Sequence, residues 1–79
     1  MTGAGLMIVK PRELIKALER MGFVLLRKSK GSHVQFQHAD GRRTTVPVHR
    51  GTDIGPGLLR KILRDIEIEP AELRKWMKG

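Results

Sequence analysis

The sequence predicts a small α+β domain with the element order helix–strand–strand–strand–helix and a short helix at the end. Apolar side chains recur at helical spacing after Pro11 and again after Pro56. Between these segments, residues 33–38 alternate apolar and polar side chains, as a strand with one covered face does. Asp40-Gly41 follows and is typical of a hairpin turn, because both residues tolerate positive φ. We therefore expect a three-stranded antiparallel sheet with the helices on one face.

The first helix is predicted over residues 11–21. Pro11 suits the first helical position, where its missing N–H leaves no hydrogen bond unmade. Gly22 is typical of the position after the last turn, because it adopts the left-handed conformation without strain. The apolar face of this helix comprises Leu14, Ile15, Leu18 and Met21.

Three strands are predicted between the helices. Residues 23–28 form a compact apolar run that ends at a polar turn, residues 33–38 form the alternating strand, and residues 44–49 form the third strand. Pro47 cannot donate to a ladder, so the third strand should lie at the sheet edge. The side chains expected to face the helices are Val34, Phe36, Val46 and Val48. The side chains expected on the open face are His33, Gln35, Thr45 and His49.

The remainder of the chain predicts one long helix and one short one. A helix should begin at Pro56 with an apolar stripe of Leu58, Leu59, Ile62, Leu63 and Ile66. Glu69-Pro70 breaks the chain and begins a terminal helix that contacts the core through Leu73, Trp76 and Met77. The 79 residues are expected to form one domain, with the Gly-rich residues 1–7 as a flexible leader.

The charge predicts a polyanionic partner. Sixteen lysines and arginines against eight acids give a net charge of +8, which favours nucleic acid, an anionic membrane surface or an acidic protein. Aromatic side chains are not interleaved with the cations, so we expect contacts to an RNA backbone and its 2′-hydroxyls rather than base stacking. The residues expected to contact RNA are Lys28, Lys30, Ser32, Arg42, Arg43 and Arg50.

The absence of cysteine excludes disulfides and thiolate zinc sites and fits a reducing compartment. We find no signal peptide and no apolar run long enough to span a membrane. The sequence therefore predicts a cytoplasmic protein with no membrane partner.

His33 is the candidate catalytic residue. An imidazole titrates near neutral pH and can act as general base or acid, and RNA carries its own nucleophile in the 2′-hydroxyl. Such chemistry requires no metal and no cofactor. A lone strand histidine is more often structural, and this alternative stays open. His49 is a candidate for the complementary acid or for a phosphate contact, or is simply a solvent-facing strand end.

Two further residues near the turns, His38 and Ser32, are not predicted to be catalytic. His38 is expected at the rim of the sheet. Ser32 is expected to be a turn former or a phosphate donor rather than a nucleophile, because adjacent strand residues point apart.

Four sequence blocks, in order, resemble the HicA toxins of HicAB toxin–antitoxin systems. These blocks are Glu13-Leu14-Ile15-Lys16-Ala17-Leu18 with Met21-Gly22-Phe23, then Gly31-Ser32-His33, Val46-Pro47-Val48-His49, and Gly57-Leu58-Leu59-Arg60-Lys61-Ile62-Leu63-Arg64. The resemblance implies a double-stranded-RNA-binding-like α-β-β-β-α fold, ribosome-independent mRNA cleavage, a catalytic histidine at His33, and a HicB antitoxin that covers the active site. Leu58 occupies a position where the family commonly has threonine.

Three hypotheses follow. The first is an endoribonuclease toxin in which His33 transfers protons. The second is a non-catalytic RNA-binding module of the same fold, in which His33 contacts a phosphate or a 2′-hydroxyl. The third is an interaction protein whose basic face meets an acidic partner chain. Salt-sensitive RNA binding separates the third from the first two, and the behaviour of His33→Ala separates the first from the second.

Overall fold

The structure is a computed structural model that describes residues 8–28, 32–49 and 51–78. The predicted leader, residues 1–7, and most of the predicted turn at residues 29–31 lie outside the described residues. The elements are α1 Pro11–Met21, β1 Val24–Lys28, β2 His33–Gln37, β3 Arg43–Pro47, α2 Pro56–Ile66 and α3 Pro70–Lys78. This order confirms the predicted α+β fold with α-β-β-β-α topology and a short final helix.

β2 is the central strand of an antiparallel sheet with the order β1-β2-β3. In the β2–β3 hairpin His33 is opposite Pro47 and Gln37 is opposite Arg43. Gly41 has a φ of +101° in the connecting turn, as the Asp-Gly signal predicted. Pro47 lies on an edge strand, where its missing N–H removes no interior ladder bond.

β1 pairs with β2 through a bulge. Leu25 is opposite Phe36, whereas Arg27 is opposite Gln35, so Leu26 is the extra residue. A bulge bends the strand and increases its twist, which turns β1 away from a flat ladder.

The helices lie on one face of the sheet, over the half that β3 forms. Both α1 and α2 contact β3, and α3 packs on α1. The side chains at the centre of the resulting core are fully buried, and each contributes about 1.5–3 kcal/mol through its removal from water. The largest of these are Leu14, Leu18, Phe23, Phe36, Ile54, Leu59, Ile62, Ile66 and Leu73. Within the described ranges, no helix is long and apolar enough to cross a lipid bilayer.

Two apolar side chains are more exposed than their predicted positions imply. Val48 lies on the helix side as predicted, where it borders clefts next to α1, but it is 38% exposed because it lies past the end of β3 at Pro47. Leu58 is 37% exposed. At 100° per residue it lies roughly 90° around α2 from the centre of the buried stripe, so it falls at the edge of the covered face.

Candidate functional site

His33 and His49 lie together at one corner of the sheet. His33 is the first residue of β2, and His49 follows β3 by two residues. Because His33 is opposite Pro47, His49 is its diagonal neighbour, within reach of a long side chain. The two exposed rings stand edge to face with their centroids 6.3 Å apart. We call this pair the histidine corner.

The Ser32 hydroxyl touches the second ring of this corner. Its Oγ lies 3.1 Å from Nδ1 and 3.2 Å from Nε2 of His49, so whichever nitrogen lacks a proton can accept its hydrogen bond. The predicted opposition of adjacent side chains concerned His33, and the contact of Ser32 with His49, 17 residues away, was not predicted. Ser32 precedes β2, where strict strand alternation does not apply, and its carbonyl accepts a bond from the Val48 N–H at 2.6 Å. This contact holds the Ser32 and His49 segments together.

The cations predicted to bind RNA divide into two groups along β2. Lys28 is exposed and is opposite Val34, next to His33 in the sheet. Arg43 is exposed and is opposite Gln37, at the other end of the strand. Lys30 and Arg50 lie outside the described residues. Of the cations described on the sheet, Lys28 thus lies nearest to His33 in the strand pairing.

Arg42 is placed in an internal network rather than toward solvent. Its Nε donates to Asp40 Oδ2 at 2.8 Å, and its guanidinium lies 5.1 Å from the centre of the Phe23 ring. Its Nη1 also donates to the carbonyl of Ile66, the last residue of α2. A cation bonded to a carbonyl at a helix C-terminus also interacts favourably with the helix dipole. Arg42 therefore joins the hairpin to α2, and we do not include it in the RNA surface.

Asp40 completes the hairpin turn. Its Oδ1 accepts from the Arg42 backbone N–H at 3.0 Å. This backbone bond, followed by the bond and the charge of the Arg42 guanidinium, holds the pKa of the Asp40 carboxyl below its ordinary value. The carboxylate is therefore a structural acceptor in the turn.

His38 is half-buried at the same end of the sheet. Its Nδ1 accepts from the Asp40 N–H at 3.1 Å, and its Nε2 lies 3.1 Å from the Met21 carbonyl oxygen. The neutral ring with its proton on Nε2 satisfies both backbone contacts, whereas a ring that also carries a proton on Nδ1 would donate to Asp40 Oδ1, 3.2 Å away. The ring also packs edge-on against Phe23, at 5.0 Å between centroids. The ring also packs close to Gly22, because a Cβ at that position would come to 3.0 Å from the His38 Nε2. His38 thus belongs to the structural framework more fully than its predicted rim position implied.

An open cleft of about 860 Å³ lies on the helix side of the histidine corner, next to the start of α1. It is lined by His49 and by three cations, Lys10, Arg12 and Lys16. Glu13 and Asp53 also line it. The backbone bridge between Val9 and Ile54, with N···O distances of 3.1 and 2.7 Å, brings α1 against the loop after β3.

Sequence reasoning missed the three cations of this cleft, because a charged helix face far from the strands indicates only a solvated surface. The signal that could have revealed them is the cluster of three cations at residues 10–16, at the start of α1. Across residues 8–28, 32–49 and 51–78, no group of three or more acidic or histidine side chains is arranged to hold a metal ion.

Comparison with known proteins identifies the family. The model of the family described as HicA toxin of bacterial toxin–antitoxin matches residues 11–68, well over half of the chain. No curated protein matches the chain. The matched region begins with α1, extends just beyond α2, and includes the histidine corner. The chain therefore belongs to the HicA toxin family and is the toxin of a toxin–antitoxin system, with an antitoxin as its partner.

Proposed function

We propose that this toxin is an endoribonuclease that cleaves mRNA at the histidine corner. The observation that carries the proposal is the pair of exposed imidazoles 6.3 Å apart on a chain with a net charge of +8. Two imidazoles at this separation can reach two oxygens of one phosphodiester, and a basic surface attracts the RNA backbone. Membership of a toxin family supplies a cellular role for such an activity.

In the proposed reaction, the 2′-oxygen of one nucleotide attacks the adjacent phosphorus. One imidazole takes the proton of the 2′-hydroxyl as the new O–P bond forms, and the other, protonated, gives a proton to the 5′-oxygen as its bond to phosphorus breaks. The products are a 2′,3′-cyclic phosphate and a 5′-hydroxyl. Both rings transfer protons in this proposal, and loss of the His33 imidazole should slow cleavage more than loss of the His49 imidazole. Imidazoles can have both roles near neutral pH, because their ordinary pKa is about 6.5.

The RNA is proposed to follow the cations on both sides of the corner. Lys28 and Ser32 line the groove beside β1 and are proposed to contact the RNA there, and Arg43 is proposed to contact it at the other end of the β2–β3 hairpin. The three cations of the α1 cleft are proposed to bind phosphates, and we also propose RNA contacts for Lys30 and Arg50, which lie outside the described residues. Replacing Lys10, Arg12 and Lys16 with glutamine should weaken RNA binding and reduce the salt slope by about 0.7 per lost phosphate contact for single-stranded RNA. Titration of labelled RNA at several salt concentrations measures this slope.

The antitoxin is proposed to be a HicB-like protein that covers the histidine corner and stops cleavage. The toxin is proposed to act in the cytoplasm, where its mRNA substrate is found. No metal or cofactor takes part in the proposed step.

RNA cleavage by purified toxin in EDTA tests the proposal. A synthetic mRNA fragment should be cleaved by the wild type, whereas a DNA strand of the same sequence should stay intact, because it has no 2′-hydroxyl. His33→Ala should bind the RNA and leave it intact. Gln37→Ala is the matched control, since Gln37 lies on the same face of β2 at its other end. Salt-sensitive RNA binding by the wild type without any cleavage would contradict the nuclease and favour the non-catalytic RNA-binding module.

A further inference from the structure

β1 is the least covered strand of the sheet. All five of its residues are exposed, and three of them are large and apolar. Val24 is 62% exposed, Leu25 54% and Leu26 46%. β2 and β3, in contrast, each bury two side chains. Contiguous exposed apolar side chains on an edge strand indicate a surface that a partner covers.

The apolar side chains of β1 lie on both faces of the sheet. Leu25 is opposite buried Phe36 and therefore faces the helix side. Val24, the preceding residue, faces the other way. Leu26 is the bulged residue and lines a shallow pocket together with Gln35, a pocket that also includes Lys61 and Asp65 of α2. A partner that grips the edge of β1 can thus contact apolar surface on each side of it.

On the helix side, β1 forms one wall of a groove of about 430 Å³, which we call the α1–β1 groove. Its apolar lining consists of Ile15, Leu25, Val34, Phe36 and Val48. The groove exists because α1 and α2 cover the β3 half of the sheet and leave the β1 half open.

The α1–β1 groove extends to the histidine corner. Ser32 also lines the groove, and the Ser32 hydroxyl touches the His49 ring. Val48, which precedes His49, lines both this groove and the cleft beside α1. A chain seated in the groove would therefore contact the edge of the candidate active site.

We infer that residues 24–26 and the α1–β1 groove form the docking surface for the antitoxin. The docking segment inserts apolar side chains into the groove and carries acidic residues that meet Arg27 and Lys28, which follow the apolar residues in β1. Charge complementarity favours such a partner, since the toxin carries a net charge of +8. The docking surface follows from family membership and geometry, and only its consequence, inhibition of RNA cleavage, rests on the proposed function.

A second copy of the toxin fits this surface poorly. Antiparallel pairing of two β1 strands centred on Leu26 would place Leu25 of one copy against Arg27 of the other. The two copies would also repel each other through their equal positive charge. An acidic partner has neither problem.

The test uses the purified cognate antitoxin and a toxin variant with Val24→Thr, Leu25→Thr and Leu26→Thr. Threonine favours the strand conformation at all three positions while it removes apolar surface. The variant should unfold at the wild-type temperature, cleave RNA at the wild-type rate and bind the antitoxin at least about tenfold more weakly. Leu58→Thr is the matched control, because Leu58 is an exposed leucine on α2 and should leave the antitoxin Kd unchanged.

Two results would overturn the inference. One is wild-type antitoxin affinity in the folded triple variant. The other is a concentration-dependent dimer of the wild-type toxin that the triple variant abolishes, since β1 would then be a self-interface. The binding measurement does not require catalysis, so a toxin that binds the antitoxin through β1 but cleaves no RNA would contradict only the proposed nuclease.

Discussion

The two ends of β2 contain the same residue type in opposite settings. His38, just after the strand, packs on Phe23 and lies within hydrogen-bond distance of two backbone groups through its two nitrogens. His33, at the start of the strand, is exposed and faces a second exposed histidine. The framework end also contains Asp40 and Arg42, which bond to each other. The contacts around each histidine, and not its place in an alternating strand, therefore indicate whether it is structural or available to a substrate.

Removal of the His33 ring and of the His38 ring, one at a time, should have the largest and most different effects. His33→Ala should reduce the rate of RNA cleavage about 10²–10⁴-fold through loss of proton transfer, with a change in the free energy of unfolding within roughly 0.5 kcal/mol. His38→Ala should instead cost about 1–3 kcal/mol of stability, because the Met21 carbonyl and the Asp40 N–H lose their partner. Denaturant melts and cleavage rates of both variants measure the difference. Equal effects of His33→Ala and His38→Ala on both the free energy of unfolding and the cleavage rate would contradict the different roles of the two rings.

The second ring of the corner should have a smaller effect. His49→Ala should lower kcat about 10–100-fold with little change in KM, because it removes the complementary proton transfer. Ser32→Ala should lower kcat less, since the hydroxyl contacts His49 and transfers no proton in the proposed reaction, and Ser32→Thr should restore the rate because the hydroxyl returns. Steady-state kinetics separates kcat from KM. A pure KM effect at both positions would instead make this pair a phosphate contact.

Two adjacent arginines provide a matched test of the same contrast. Arg42→Ala should destabilise the protein by about 1–2 kcal/mol, because the Ile66 carbonyl and the Asp40 carboxylate lose a charged donor. Arg43→Ala should leave stability unchanged, because its side chain is exposed, and should weaken RNA binding modestly. Thermal unfolding and RNA titration of both variants measure these effects. The reverse pattern would show that Arg42, not Arg43, contacts RNA.

The smallest expected effect is the acid dependence of the hairpin turn. The pKa of Asp40 is lower in the folded chain than its ordinary 3.8, so its stabilising contribution is complete above that value. The contribution is lost as pH falls through the lower folded pKa. Wild type should therefore be more stable than Asp40→Asn near neutral pH, and the two should converge in strong acid. A stability difference between wild type and Asp40→Asn that stays constant down to the most acidic pH would contradict a stabilising role for the ionised Asp40 carboxylate.

Much of the fold could be predicted because the local signals agree with the packing. Pro11 and Gly22 lie at the two ends of α1 as predicted, and Gly22 has the expected positive φ of 106°. In β2 the alternation predicted that Val34 and Phe36 would be buried, and both are. Each of these signals depends on neighbours a few residues away in the sequence.

The features that sequence could not predict depend on how far the helix layer extends. The apolar run of β1 predicts a strand equally well whether it is covered or exposed, and only the position of α1 and α2 decides that it is exposed. Arg42 and Arg43 are adjacent in the sequence, yet one is committed to the end of α2 through a contact 24 residues away. The bridge between Val9 and Ile54 brings the start of α1 against the loop after β3, so that its cations line the same cleft as His49.

Chemical rescue of His33→Ala tests most directly whether the His33 imidazole transfers a proton. The variant is incubated with labelled RNA in EDTA at increasing concentrations of free imidazole, and RNA affinity is measured in parallel. The expected result is cleavage that returns as the imidazole concentration rises, with an RNA Kd close to that of the wild type; rescue that follows the free base form would assign His33 as the base, and rescue that follows imidazolium would assign it as the acid. Wild-type cleavage by His33→Ala without imidazole would contradict the catalytic role of His33.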